Sequence, residues 1–214
     1  MSRVLPILFN TEMVRAILDG RKTVTRRILK HDTRALLDSP SCKKHPEVPD
    51  KQIIEKLCKS PYEQGDVLYV RETWCSRYDG EKYFYLADKC TKREEKKLLD
   101  YGEVKWRSSI HMPKEAARIF LKVKDVRVER LQDITEKQAE SEGLKFKAMY
   151  CPKDDTFVEI QNPSIDSGAT YKNGFAKIWN STIKKSDIEK YGWNANPWVW
   201  VIEFERCEKP EKWK

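Results

Sequence analysis

Apolar positions in this chain fall in short clusters, and their spacing separates helices from strands. Between Thr11 and Gly20, Met13, Val14, Ile17 and Leu18 recur at helical spacing, which predicts a short amphipathic helix with one buried stripe. Thr11 is placed to cap its start, and Gly20 to supply the left-handed residue that stops it. Before it, Val4 to Phe9 reads as a strand. Val67 to Trp74, opened by the turn Gln64-Gly65-Asp66, and the aromatic run Tyr83 to Ala87 have strand character as well. The longest strand signal runs from Ala117 to Leu131. Ile119, Leu121 and Val123 alternate there, and Val126 and Val128 continue the alternation in the other phase. A one-residue slip of this kind predicts a bulge near Lys124-Asp125, which bends a strand as small barrels require. Pro197 precedes a final strand, Trp198 to Phe204, rich in aromatic and β-branched residues.

Helices punctuate these strands. Ile134-Thr135-Glu136-Lys137-Gln138 opens one: Thr135 and Gln138 have capping-box spacing, Ile134 can staple onto Ala139, and the helix runs to about Gly143. Phe175, Ile178, Trp179 and Ile183 mark a further amphipathic helix. Lys92 to Leu99 reads as a charged helix, and Lys105 to Met112 as an extended segment broken by Pro113. Two stretches lack periodicity and read as insertions. One covers about 30–60, with one short helix near Asp50 to Cys58, and the other covers about 145–173. The pattern predicts an α+β chain, a single domain over 1–214. It is built around a small, strongly bent β-barrel with flanking helices, and the two insertions decorate one end.

Composition narrows the class of protein. At 214 residues the chain can bury a real core, and seven Trp, nine Tyr and seven Phe argue against disorder. Lys plus Arg exceed Asp plus Glu by 42 to 34, a net +8, which favours an acidic partner, nucleic acid first. The competing explanation is solvated helix surface, as at Lys92 to Lys97. No apolar run approaches the roughly 18 residues of a membrane span. The opening Met1 to Pro6 holds no long apolar stretch, so no secretory leader and a cytoplasmic location are expected. The cysteines (Cys42, Cys58, Cys75, Cys90, Cys151, Cys207) are irregularly spaced, and free thiols are expected. Cys42, His45 and Cys58 have a ligand-like gap, but no second close pair completes a zinc site, so neither metal nor cofactor is expected.

The chain has no phosphate-cradling Gly-rich loop, no His-Glu-x-x-His helix and no Gly-x-Ser-x-Gly elbow. What carries chemistry is Gly20-Arg21-Lys22-Thr23-Val24-Thr25-Arg26-Arg27, just beyond the first helix. If extended, it puts Lys22, Val24 and Arg26 on one face and Thr23, Thr25 and Arg27 on the other. If the backbone turns after Gly20, Lys22 and Thr25 converge instead. At its simplest it is a basic loop that meets phosphate or solvent. Among the tryptophans, Trp74 and Trp106 have charged neighbours (Arg71, Glu72, Lys105, Arg107) and are the candidates for stacking on a base. Trp198 and Trp200 sit in an apolar run and are expected to pack the core. Lys105-Trp106-Arg107 with His111 are placed to line a cleft mouth.

The Gly20 to Arg27 segment resembles the Gly-x-Lys-x-x-(Glu/Thr)-x-Arg signature of the ASCH family, with Lys22, Thr25 and Arg27 in its three slots. Three more stretches are similar to ASCH proteins of phage or prophage type. They are Gly65 to Trp74, Val126 to Thr135 and Pro197 to Phe204. The four blocks stand in the family's order and span most of the chain outside the two insertions. The resemblance implies a PUA-like fold with a cleft, binding RNA, single-stranded nucleic acid or a modified nucleoside. Lys22 and Arg27 would hold phosphate, Thr25 would bond a base edge and Glu142 would pair with Lys22. It also implies an alternative, since one branch of the family comprises amidohydrolases that deacetylate N4-acetylcytidine with a Lys, a Thr and a Glu. Here these match Lys22, Thr25 and, within Thr135 to Glu142, Glu142. Thr25 would be nucleophile, Lys22 its base and Glu142 the acid/base, with Arg26 or Arg27 holding an oxyanion or phosphate. A ribonuclease is a third possibility implied by the family, although no pair of histidines here supports the usual acid/base cleavage of RNA. The extra Arg26 and a length about twice that of the small deacetylases set this chain apart from them.

Overall fold

A computed structural model describes residues 2–76, 83–88, 105–144, 149–151, 156–158 and 170–211. The strands are β1 (Val4–Leu8), β2 (Val24–Ile28), β3 (Val67–Arg71), β4 (Trp74–Ser76), β5 (Tyr83–Tyr85), β6 (Phe120–Arg130), β7 (Met149–Cys151), β8 (Thr156–Val158) and β9 (Trp198–Cys207). The helices are α1 (Thr11–Leu18), α2 (Thr33–Leu37), α3 (Pro40–Lys43), α4 (Asp50–Leu57), α5 (Glu136–Ser141), α6 (Tyr171–Thr182) and α7 (Ile188–Tyr191). Five strands hydrogen-bond in the order β1-β3-β6-β9-β2, while β4-β5 and β7-β8 are separate pairs. The fold is α+β, as expected. The bent barrel of the sequence pattern takes the form of an open sheet among the described strands, because β1 and β2 end the order without pairing. The chain divides into two compact units, one of Met1–Gly20, Gln64–Lys124 and Phe204–Lys214, the other of Arg21–Glu63 and Asp125–Glu203.

In the first unit β1 runs parallel to β3, from Val4 opposite Val67 to Leu8 opposite Arg71. β3 is antiparallel to β6. α1 buries Val14 and Ile17 of the predicted stripe together with Ala16, while Met13 and Leu18 are half-buried. Its N-cap is Asn10, whose side chain accepts from Met13 N at 2.9 Å, one residue before the expected Thr11. Asn and Thr both cap well, and here the backbone turns extended at Asn10. Gly20 has φ +75°, the left-handed stop predicted for it. The expected strand Val67 to Trp74 breaks into β3 and β4. The segment Lys105 to Met112 is not wholly extended: it closes a 3₁₀ turn at Ser109–His111.

In the second unit β2 is antiparallel to β9, from Val24 opposite Glu203 to Ile28 opposite Val199. Trp198 through Ile202 are all buried, the signature of a strand covered on both faces. The core joins Val24, Leu131, Ile134, Ala139, Phe175, Trp179, Val199 and Val201. The capping box of α5 forms as predicted, and Ile134 and Ala139 share that core, as a hydrophobic staple requires. Residues 30–60 hold α2, α3 and α4 rather than one helix. Asp32 caps α2 and Ser39 caps α3, each a helix too short to show a period. Along β6, Val123 and Val128 are buried while Lys124 and Asp125 are exposed, so the phase changes where the sequence slips.

The predicted helix Lys92 to Leu99 and most of the second insertion lie outside the described residues. Cys42, Cys58, Cys75 and Cys207 are free thiols, and His45 Nδ1 lies 3.0 Å from Glu47 Oε1. Among the described residues no three His, Cys, Asp or Glu side chains gather as a metal site would need. No helix among them is long and apolar enough to cross a membrane.

Candidate functional site

The site is built on the second unit, where the chain leaves Gly20 and runs straight into β2. Lys22 forms an isolated antiparallel bridge with Glu142, and Thr23 N donates to Ser141 O at 2.9 Å. The segment is therefore extended, held at its start by the end of α5 and along its length by β9. Of the two geometries the sequence allows, this is the one with alternating faces. Lys22 and Arg26 lie on the same side and both reach Glu142.

Lys22 is fully enclosed. Its Nζ donates to Val24 O at 2.8 Å, to the Glu142 carbonyl at 3.0 Å and to Glu142 Oε2 at 2.6 Å, so each of the three ammonium protons has an acceptor. The Arg26 side chain is equally enclosed. Its Nη1 donates to Glu142 Oε1 at 3.0 Å, and its Nη2 to Glu129 Oε2 and Gln138 Oε1, each at 3.3 Å. Its guanidinium carbon lies 5.8 Å from the centre of the Phe175 ring. One donor, Arg26 Nε, is buried with no acceptor. Glu129 also accepts from Arg127 Nε at 2.6 Å, and Arg127 Nη1 in turn reaches Asp125 Oδ2 at 2.8 Å and Glu203 Oε1 at 2.5 Å.

Thr25 and Arg27 alternate with these residues. Thr25 is buried, and its Oγ1 accepts from Arg27 Nη1 at 3.1 Å. Arg27 is half-buried and feels the phenol of Tyr62. Burial pushes the Lys22 amine below the ordinary lysine value, against the pull of the Glu142 carboxylate in the other direction. Burial likewise lowers Arg27, with Tyr62 and Glu142 opposing it. It raises Tyr62, against the nearby Arg27 charge. Both cations are thus poorly solvated, the state in which an approaching anion gains most.

Of the expected trio Lys22, Thr25 and Glu142, Lys22 pairs with Glu142, while Thr25, alternating with Lys22 along the extended segment, bonds Arg27. Arg26 reaches Glu142, a contact not expected of it. Sequence reasoning missed Glu129 and Tyr62 as partners, because only folding brings residue 129 or 62 to residues 26 and 27. Gln138 was visible as a capping residue. Its Oε1 accepts both from Thr135 N at 2.9 Å and from Arg26, so the helix cap holds the guanidinium too. The other candidates lie in the first unit. Trp74 is corrected: at 4% exposure it packs with Met112, Ala116, Ala117 and Phe120, its charged neighbours notwithstanding, and offers no open face to a base. Arg107 lies over its ring, 5.1 Å from the centre, and their backbones exchange two hydrogen bonds. Trp106 is half-buried, with an enclosed indole N–H that has no acceptor. His111 is exposed at the end of its 3₁₀ turn.

Neither a protein-family model nor a curated protein sequence matches the chain. Two solved structures resemble it over nearly its whole length. One is a protein of family DUF984 from Enterococcus faecalis, 10% identical, covering 97% of this chain and 77% of that one, with a TM-score of 0.40. The other is an ASCH domain from Lactobacillus crispatus, 11% identical, covering 95% and 79%, with a TM-score of 0.35. Both likenesses are loose.

Proposed function

We propose that the chain binds single-stranded nucleic acid, RNA first, or a modified nucleotide, through Arg27, which Thr25 holds in place. In this proposal the Lys22–Glu142–Arg26 cluster is the buried frame behind them. The observation that carries it is the saturation of Lys22. A general base needs a free lone pair, whereas this amine gives all three protons to acceptors within 3.0 Å and acts as a fixed positive charge. Arg27 supplies a forked donor for phosphate, and the buried Thr25 hydroxyl accepts from its Nη1 and so fixes the guanidinium. The net +8 adds a long-range attraction.

Titration with oligouridylate and single-stranded DNA at low and moderate salt tests this. The expected result is binding whose log K falls by about 0.7 per phosphate contact for each tenfold rise in salt. Arg27→Ala should weaken it and flatten the slope by about one contact. No binding to either polymer at low salt would reject the proposal.

One observation favours a second reading, hydrolysis of an acylated cytidine. The 2.6 Å contact between Lys22 Nζ and Glu142 Oε2, with the amine lowered by burial, is a path for one proton. Passing it to the carboxylate leaves a neutral amine. Thr25 stands on the other face of the extended segment, so its proton would reach the amine through an intervening water as the hydroxyl attacks the amide carbon. Glu142, now protonated, then gives its proton to the leaving amine. In the second half water attacks the Thr25 ester, its proton passing to the Glu142 carboxylate and the lysine proton returning to the Thr25 oxygen, which frees the acid. Incubation with N4-acetylcytidine and chromatography for cytidine decides it, and a fully active Lys22→Ala variant would reject these roles.

A further inference from the structure

The second unit has a hollow of about 790 Å³ that the site on β2 does not use. That volume lies within the range of about 300–1,000 Å³ found for small-molecule sites. Part of its lining is apolar: Leu29, Pro197 and Trp198, the last only 7% exposed. The indole N–H of Trp198 is buried without an acceptor, an unmet donor on a residue that lines the hollow. The remainder is charged, and the charges are unevenly committed. Asp32 is engaged as the cap of α2, and Asp38 pairs with Lys43 at 3.3 Å. Arg130 is held in place on two sides. Its guanidinium lies 4.3 Å from the centre of the Trp198 ring, and its Nη1 donates to Asn196 O at 3.2 Å. The side chains of Arg34 and Lys190 line the hollow with no hydrogen bond or ion pair to a described residue, although Lys190 Nζ lies 5.2 Å from the centre of the Tyr191 ring. Glu189 is the carboxylate on the lining that stays uncommitted among those residues.

We propose that this hollow is a nucleotide-binding site. The phosphate is held by Arg34, Arg130 and Lys190, and the flat base lies against Leu37, Pro197 and Tyr191, the half-buried apolar side chains of the lining. Three cations face three carboxylates on the lining, but Asp32 is turned to the α2 cap and Asp38 to Lys43, so Glu189 alone competes with an incoming anion for them. The apolar side selects against a bare inorganic ion, which has nothing to bury there. A guanidinium fixed by an aromatic face and a carbonyl loses little freedom when it grips a phosphate. The nucleotide can arrive free or as one unit of a strand, and the chemistry of the contact is the same.

The test is calorimetric titration of the whole chain with uridine 5′-monophosphate, uridine, inorganic phosphate and a short oligouridylate, with tryptophan emission followed in parallel. The monophosphate is expected to bind below about 1 mM and to quench emission, with uridine and phosphate each at least tenfold weaker. Arg34→Ala/Lys190→Ala changes two exposed side chains that make no hydrogen bond or ion pair to a described residue. It should weaken the monophosphate at least tenfold, and by the same factor in an Arg27→Ala background, which separates the hollow from the site on β2. An oligomer bound more tightly than the monophosphate, with the same loss in the double variant, supports the site as one on a strand. Equal affinities support it as a site for the free nucleotide. Absence of monophosphate binding at about 1 mM would overturn the proposal. So would binding indifferent to the double variant, or inorganic phosphate bound as tightly as the nucleotide.

Discussion

Replacing Glu142 by Gln removes one negative charge and little shape. In the parent that carboxylate answers two enclosed cations, Lys22 at 2.6 Å and Arg26 at 3.0 Å, with both cationic side chains at 0% exposure. Glutamine can still accept one hydrogen bond, but the counter-charge is gone. Breaking a buried ion pair by removing one partner costs about 3–5 kcal/mol. For a chain of this size that is a fall of about 6–20 °C in melting temperature. The cost should depend on pH, and its direction follows from Lys22. Burial already lowers the Lys22 amine, and the variant loses the two influences of Glu142 that raise it, so the folded amine gives up its proton at lower pH still. The unfolded lysine holds its proton up to the ordinary value of 10.5. Between those two points the unfolded chain binds more protons, and stability rises with pH. That window opens earlier in the variant, so its deficit is largest in mild acid and narrows toward pH 10. Urea unfolding at a series of pH values reads both size and trend. Lys22→Met should cost less, about 1–3 kcal/mol, because Glu142 keeps Arg26. A Glu142→Gln deficit under about 1 kcal/mol at every pH would refute the buried pair, as would one that widens with pH or a larger loss in Lys22→Met.

Two further outcomes are expected. Burial pushes the Tyr85 phenol up to about 12, and its hydroxyl donates to Ala116 O at 2.6 Å. Ultraviolet titration to pH 10 should then be the same for the parent and Tyr85→Phe. Because the unfolded phenol ionises near 10 and the folded one does not, Tyr85 should make the parent lose stability between pH 10 and about 12, a loss absent from the variant. Gly20→Ala should cost about 1–2 kcal/mol by thermal unfolding. Gly20 has φ +75° and no atom within 4 Å of an added Cβ, so the cost is backbone strain alone, and Gly20→Asn should cost less.

Much of this fold was legible because its signals are local. The stripe of α1, the stop at Gly20, the Thr135–Gln138 box and the phase change at Lys124-Asp125 each lie within a dozen residues, and each takes its predicted form. The helices between 30 and 60 were hidden because α2 and α3 are one turn long and held by caps rather than by a stripe. At the site, the alternation of Lys22, Thr25, Arg26 and Arg27 was readable, and the choice between extended and turned geometry was not. That choice rests on Thr23 meeting Ser141 and on β2 finding β9, pairings more than a hundred residues apart in the chain. Trp74 misled because charged sequence neighbours say little about a strand residue whose own face turns inward.

Lys22, Glu142, Arg26, Glu129, Arg127 and Glu203 stand in a row of alternating sign, each in contact with the next. Such a row behaves like a combination lock. Exchanging any one interior member strands the neighbour beside it, so a drifting lineage can alter the row only in matched pairs, or trade the whole run for apolar residues at once. The outer tumbler, Glu203, is the most open to water and the most forgiving, while Glu142, set between two enclosed cations, tolerates least.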